Sequence, residues 1–115
     1  MSDIEKLTQR IIEFRDSRDW KQFHNPKDLA ISLSLEAAEV LEHFQWKNGQ
    51  ELEEYLKTNK GEVADELMDV LYWVLNMCSD LEIDIPEAFE KKMQKNEAKY
   101  PVGTAKGKKE KYSEL

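Results

Sequence analysis

A chain of 115 residues has room for one domain and little for a second hydrophobic core. Its 24 Asp and Glu outnumber 17 Lys and Arg, and the formal charge of -7 excludes whole-molecule attraction to a nucleic-acid backbone or an anionic membrane. A single cysteine, Cys78, excludes an intrachain disulfide; with no secretory pattern at the start and no apolar run near the roughly 20 residues of a membrane span, the expectation is a soluble, cytoplasmic protein.

The first periodic segment runs from Ser2 or Asp3 to Trp20 and places Leu7, Ile11, Ile12 and Phe14 on one side, with Ser2 and Glu5 at capping-box spacing. Asn25-Pro26 opens a second helix, to Glu42 or Phe44, with Leu29, Leu33, Ala37, Val40 and Leu41 as its apolar side. Asn48-Gly49 breaks the pattern, and a short helix is expected from Gln50 to Leu56 or Lys57, starting from Asn48. A long helix follows from about Lys60 to Leu81, carrying Val63, Leu67, Val70, Leu71, Val74, Leu75 and Cys78. Cys78 reads there as a small buried hydrophobe. Asp84, with Glu87 three positions on and Pro86 in the first turn, starts a fifth helix that ends near Lys99. Residues 102–115 carry Lys106, Lys108, Lys109 and Lys111 with almost no apolar periodicity, and are expected to form a flexible basic tail. Without strand alternation, the fold class is all-α, a four- to five-helix bundle over residues 1–101.

Two helices carry the candidate chemistry. Glu36 and Glu39 are three apart on one, Glu66 and Asp69 three apart on the other, so each pair shares a helix side. Facing each other, they form a four-carboxylate cup whose hard oxygens suit Mg²⁺. Their neighbours are apolar, and carboxylates beside such surface need a metal or a basic partner. At 36% charged residues such pairs also arise as solvated acidic faces, so spacing leaves both readings open. Glu62 and Asp65 read either as an outer shell or as a solvated helix start.

Trp20, Phe23, His24 and Trp46 can form a base-stacking wall or pack as loop aromatics; His24 also suits a cap. His43 has no role beyond packing. Asn96 and Lys99 end the fifth helix, where Lys99 favours the dipole and either residue can meet phosphates or solvent.

Taken together, these segments resemble the MazG-like nucleoside triphosphate pyrophosphohydrolases of the all-α NTP pyrophosphatase superfamily. The motifs are Glu36-Ala37-Ala38-Glu39 and Glu66-Leu67-Met68-Asp69. Trp20-Lys21-Gln22-Phe23-His24-Asn25-Pro26, Leu29-Ala30, Asp69-Val70-Leu71-Tyr72 and Asn96-Glu97-Ala98-Lys99-Tyr100-Pro101 look like the single-domain dCTP pyrophosphatase branch. The likeness spans nearly all of residues 2–101; Leu35 departs from it, standing where another glutamate is common.

The resemblance implies Mg²⁺ ligation by Glu36, Glu39, Glu66 and Asp69, and a nucleoside pocket from Trp20, Phe23, His24 and Trp46. Tyr72 would lie near the sugar, with Asn96 and Lys99 on phosphates. It further implies a homo-dimer or homo-tetramer that hydrolyses dCTP, or a modified or non-canonical pyrimidine deoxynucleotide, to monophosphate and pyrophosphate. Glu36 or Glu39 would orient or deprotonate the attacking water and Lys99 would stabilise the leaving group. The alternatives are a non-catalytic acidic interaction module, which predicts no Mg²⁺ binding at the four acids, and a nucleotide-binding regulator, which predicts binding without turnover.

Overall fold

Side-chain caps set where most of the helices begin. In the computed structural model, which describes residues 1–115, Ser2 Oγ accepts the Glu5 N–H at 3.2 Å and starts α1 (Asp3–Asp16). Asp3 and Glu5 lie in that first turn, where carboxylates meet the positive end of the helix dipole. Asn25 Oδ1 accepts the Asp28 N–H at 2.9 Å and starts α2 (Pro26–Glu42), whose leading proline sits where the helix uses no donor. Gly49, at φ +52°, precedes α3 (Gln50–Asp80) without a side-chain cap. Asp84 Oδ1 accepts the Glu87 N–H at 3.1 Å and starts α4 (Ile85–Lys99); a single turn, α5 (Val102–Ala105), follows.

Two boundaries differ from expectation. The first helix stops at Asp16 and does not reach Trp20, because Asp19 takes φ +55° and turns the Trp20 N–H back to the Arg15 carbonyl at 3.2 Å. Aspartate tolerates this left-handed conformation, and Gln22 Nε2 braces the turn by donating to the Asp19 carbonyl at 2.8 Å. The second difference is larger. The two helices expected over 50–57 and 60–81 are one helix of 31 residues, about 46 Å long. Gly61 costs a helix only about 1 kcal/mol relative to alanine, too little to end one that carries both Val63 and Leu75 into the core. Asn48 caps neither piece, since the helix starts beyond Gly49.

The chain folds as two compact units, Met1–Glu82 and Ile83–Leu115. In the first, α3 packs against both α1 and α2. Leu29 of α2 and Val63 and Leu75 of α3 form its buried apolar core. Arg15, only 3% exposed, crosses from α1 to α3, where its guanidinium donates to Asp80 Oδ1 at 2.8 Å and Asn76 Oδ1 at 3.2 Å. Asp16 accepts from Arg15 Nε at 3.0 Å. Burial works against the guanidinium charge, but Asp16 and Asp80 outweigh it and hold the Arg15 pKa above its ordinary value. Much of the apolar periodicity stays uncovered: Ile31, Leu35 and Leu41 of α2 and Leu67, Met68 and Val74 of α3 are exposed, and Cys78 is half-buried.

In the second unit, α4 leads into α5 and a 3₁₀ turn at Tyr112–Glu114. The Tyr112 ring meets Tyr100 edge-on at 6.2 Å, and Lys99 Nζ lies 5.0 Å above it. The basic stretch thus returns its last aromatic residue to the end of α4. The division between units falls at Glu82/Ile83, within the span expected as one domain. No helix is long and apolar enough to cross a membrane.

Candidate metal centre and adjoining cavity

Packing of α2 on α3 brings the two acidic pairs together. Glu36, Glu39, Glu66 and Asp69 each offer a carboxylate oxygen, and the four atoms lie within 4.8 Å of one another. Glu36 and Glu66 are half-buried; Glu39 and Asp69 are exposed. Glu36 Oε2 and Glu66 Oε2 are themselves buried and have no hydrogen-bond partner. An unpaired carboxylate oxygen away from water is costly, and two in one cluster need something positive between them.

The protonation equilibria carry the same strain. Glu36 is pushed above the usual carboxylate range chiefly by desolvation, then by a hydrogen bond to Glu39 and the charges of Glu39, Asp69 and Glu66. Glu66 is pushed up first by its hydrogen bond to Glu39, then by desolvation and by Glu39 and Asp69, with His43 acting in the opposite direction. Four oxygen donors, two half-buried and two exposed, fit a hard divalent cation that keeps some of its water. The cluster can coordinate such an ion.

Beside the cluster lies a cavity of about 760 Å³, within the size range of small-molecule sites. Glu36 and Asp69 line one part of it; Met68, Phe14, Trp20 and Tyr72 line another. Phe14 stands edge-on to Trp20 at 5.6 Å and to Tyr72 at 6.1 Å, with the Arg18 guanidinium 3.8 Å over its own ring. The Tyr72 hydroxyl is buried without a partner, and desolvation pushes its pKa up against the opposing effects of Arg15, Arg18 and Asn76.

Of the aromatic residues singled out in the sequence, Trp20 and Tyr72 line this cavity. Phe23, His24 and Trp46 do not. Phe23 is exposed in the 3₁₀ turn Lys21–Phe23, and Trp46 is 82% exposed in the α2–α3 connection. His24 packs against Trp73 with ring centroids 5.8 Å apart, its Nδ1 buried and unpartnered. Glu62 and Asp65 are exposed on α3. Asn96 and Lys99 belong to the second unit, where the Asn96 carbonyl accepts the Tyr100 N–H at 2.8 Å.

Sequence reasoning missed Phe14 and Met68 as cavity residues, because an apolar side chain at helical spacing reads as core. It also missed His43. Its Nε2 lies 4.0 Å from Glu66 Oε1 and its Nδ1 hydrogen-bonds the Tyr55 hydroxyl. A signal existed: His43 is four residues after Glu39 and seven after Glu36, on the same side of one helix.

The model of the MazG-like family matches residues 31–115. The dCTP pyrophosphatase 1 of Mus musculus is 33% identical over 114 residues, covering 97% of this chain and 67% of the mouse protein; the Homo sapiens protein of that name matches to the same extent. A crystal structure of a pyrophosphatase from Archaeoglobus fulgidus superposes with a TM-score of 0.81 at 48% identity, covering 88% of this chain and 94% of that one. With a family match over most of its length and relatives that align along nearly all of it, the chain belongs to the MazG-like family.

Proposed function

We propose that this chain is a Mg²⁺-dependent nucleoside triphosphate pyrophosphohydrolase that releases pyrophosphate and leaves the monophosphate. One observation carries the reading: four carboxylates converge, two of them with buried unpartnered oxygens, and Glu36 and Asp69 of the four border an aromatic cavity large enough for a nucleoside. The dCTP pyrophosphatases and the archaeal pyrophosphatase among the relatives support it.

In this reading Glu36, Glu39, Glu66 and Asp69 hold the cation. Bound there, Mg²⁺ supplies the positive charge that offsets the carboxylates and the triphosphate. Glu36 or Glu39 orients the attacking water and accepts its proton. Trp20 and Tyr72 bound the nucleoside with Phe14 behind them, excluding water from the sugar and base. The assignment of Asn96 and Lys99 to the phosphates rests on the motif resemblance, and so does that of Phe23, His24 and Trp46 to the base. The substrate is dCTP or a modified or non-canonical pyrimidine deoxynucleotide. The exposed apolar side chains of α2 and α3 support assembly into a dimer or tetramer, which offers Phe23 and Trp46 to a neighbouring copy's pocket.

The test is pyrophosphate release from canonical, deoxy and modified triphosphates, with Mg²⁺ and with chelator, for wild type and Glu39→Gln (E39Q). Release that requires Mg²⁺ and collapses in the variant supports the enzyme. No release from any substrate, with either protein, removes it.

A further inference from the structure

His43 closes α2 as its C-terminal cap residue, and its ring is held from two sides. On one, Nδ1 hydrogen-bonds the Tyr55 hydroxyl; on the other, Nε2 faces Glu66 Oε1 at 4.0 Å. Phe44 and Tyr55 both contact the imidazole, with ring centroids 6.1 and 5.8 Å away, so the ring has little room to turn. Arg15 makes both ion pairs of residues 1–82 that involve a lysine or arginine, with Asp16 and Asp80; His43 is the one basic side chain that reaches the four acids.

The tautomer follows from these neighbours. A carboxylate beside Nε2 favours a proton on that nitrogen, which leaves Nδ1 as an acceptor for the Tyr55 O–H. The Tyr55 O–H then donates to His43 Nδ1, and the Nε2–H faces Glu66 Oε1 across 4.0 Å, an electrostatic contact longer than a hydrogen bond. Glu66 Oε2 is buried and without a hydrogen-bond partner. Orienting groups of this kind, standing behind a ligand, hold it in place and tune its donor strength.

We propose that His43 is a positioning residue for the cation site, with Tyr55 fixing its tautomer and the imidazole Nε2–H steering Glu66 so that Oε2 faces the other three carboxylates. The inference rests on the proposed function insofar as the four acids must bind a divalent cation. It assigns to the Tyr55–His43 pair a share of cation affinity independent of any substrate.

Calorimetric titration of the full chain with Mn²⁺ alone, without nucleotide, tests it on wild type, His43→Leu, His43→Gln, Tyr55→Phe and Glu66→Gln. His43→Leu is expected to weaken Mn²⁺ binding about tenfold, the lower end of what loss of such a partner costs. His43→Gln keeps an N–H donor and should restore most of that loss, and Tyr55→Phe, which removes one hydroxyl, should fall between. Melting of the metal-free variants separates positioning from packing. A His43→Leu chain that binds Mn²⁺ like wild type overturns the inference while leaving the cation site standing. So does a His43→Gln chain that loses as much affinity as His43→Leu. If wild type and Glu66→Gln bind Mn²⁺ equally, the cation site itself fails and the inference falls with it.

Discussion

Two clusters of charge sit on α3 about three turns apart, and they are built on opposite principles. Around Arg15, one guanidinium meets two carboxylates and an amide oxygen through Nε and Nη1, so a nearly inaccessible charge has opposite charge beside it. Around Glu66, four carboxylates converge, two of their oxygens are buried without a partner, and one neutral-capable histidine stands behind them. The first arrangement offsets its buried cation within the chain and joins α1 to α3, with Asn76 Nδ2 as its one buried atom without a partner. The second leaves its negative charge unbalanced within the chain, in a geometry that could coordinate a divalent cation. Charge that a fold leaves unbalanced at the edge of a cavity marks function; charge that it balances marks architecture.

That contrast can be broken at either end. The largest effect is expected at the unbalanced cluster: Glu39→Gln should lower pyrophosphate release more than about 1000-fold, about 4 kcal/mol in the barrier, since losing even an orienting partner costs 10- to 100-fold. A residual rate within tenfold of wild type would remove Glu39 from the catalytic set. At the balanced cluster, Arg15→Met should destabilise the chain by about 3 kcal/mol in urea denaturation, because Asp80 keeps its charge and loses its partner. Activity per folded molecule should change far less than in E39Q.

Acidity sharpens the comparison further. Glu36 and Glu66 bind protons more readily in the folded chain than at their ordinary value of 4.5. Their contribution to stability is therefore full below that value and is lost as the pH rises through the higher folded values. In chelator, the melting temperature of wild type relative to a Glu36→Gln/Glu66→Gln double variant should fall as pH rises from about 4.5 to 7. Mg²⁺ at 100 times its Kd should stabilise wild type at neutral pH by about 2.7 kcal/mol and leave the double variant unmoved. An equal shift in both would place cation binding elsewhere. The smallest effect lies outside both clusters. Glu82 ends α3 in a left-handed conformation at φ +55°, and Glu82→Asn should raise stability by up to about 1 kcal/mol without changing activity.

Helix starts were legible in the sequence because they depend on neighbours three residues apart: Ser2 with Glu5, Asn25 with Asp28, Asp84 with Glu87. Helix ends and breaks were less so. The weak interruption at Gly61 reads as a boundary locally, and only packing of Val63 and Leu75 shows that the helix runs through it. The acidic pairs were visible at their spacing, and so was the face of α2 that presents them. His43 lay on that same face and went unread because its partners, Tyr55 and Glu66, are 12 and 23 positions away.

What the sequence determined by itself is thus local and periodic: the all-helical class, the caps, and which side of each helix is apolar or acidic. These follow from backbone geometry and from interactions within a turn or two. Tertiary structure decided the rest. Packing of α2 on α3 converted two separate carboxylate pairs into one cluster with stranded oxygens, and packing of α1 on α3 opened the cavity beside it. The reason is physical: desolvation and charge repulsion depend on distances through space, and no spacing along a helix reports which acids a second helix will bring within 4.8 Å.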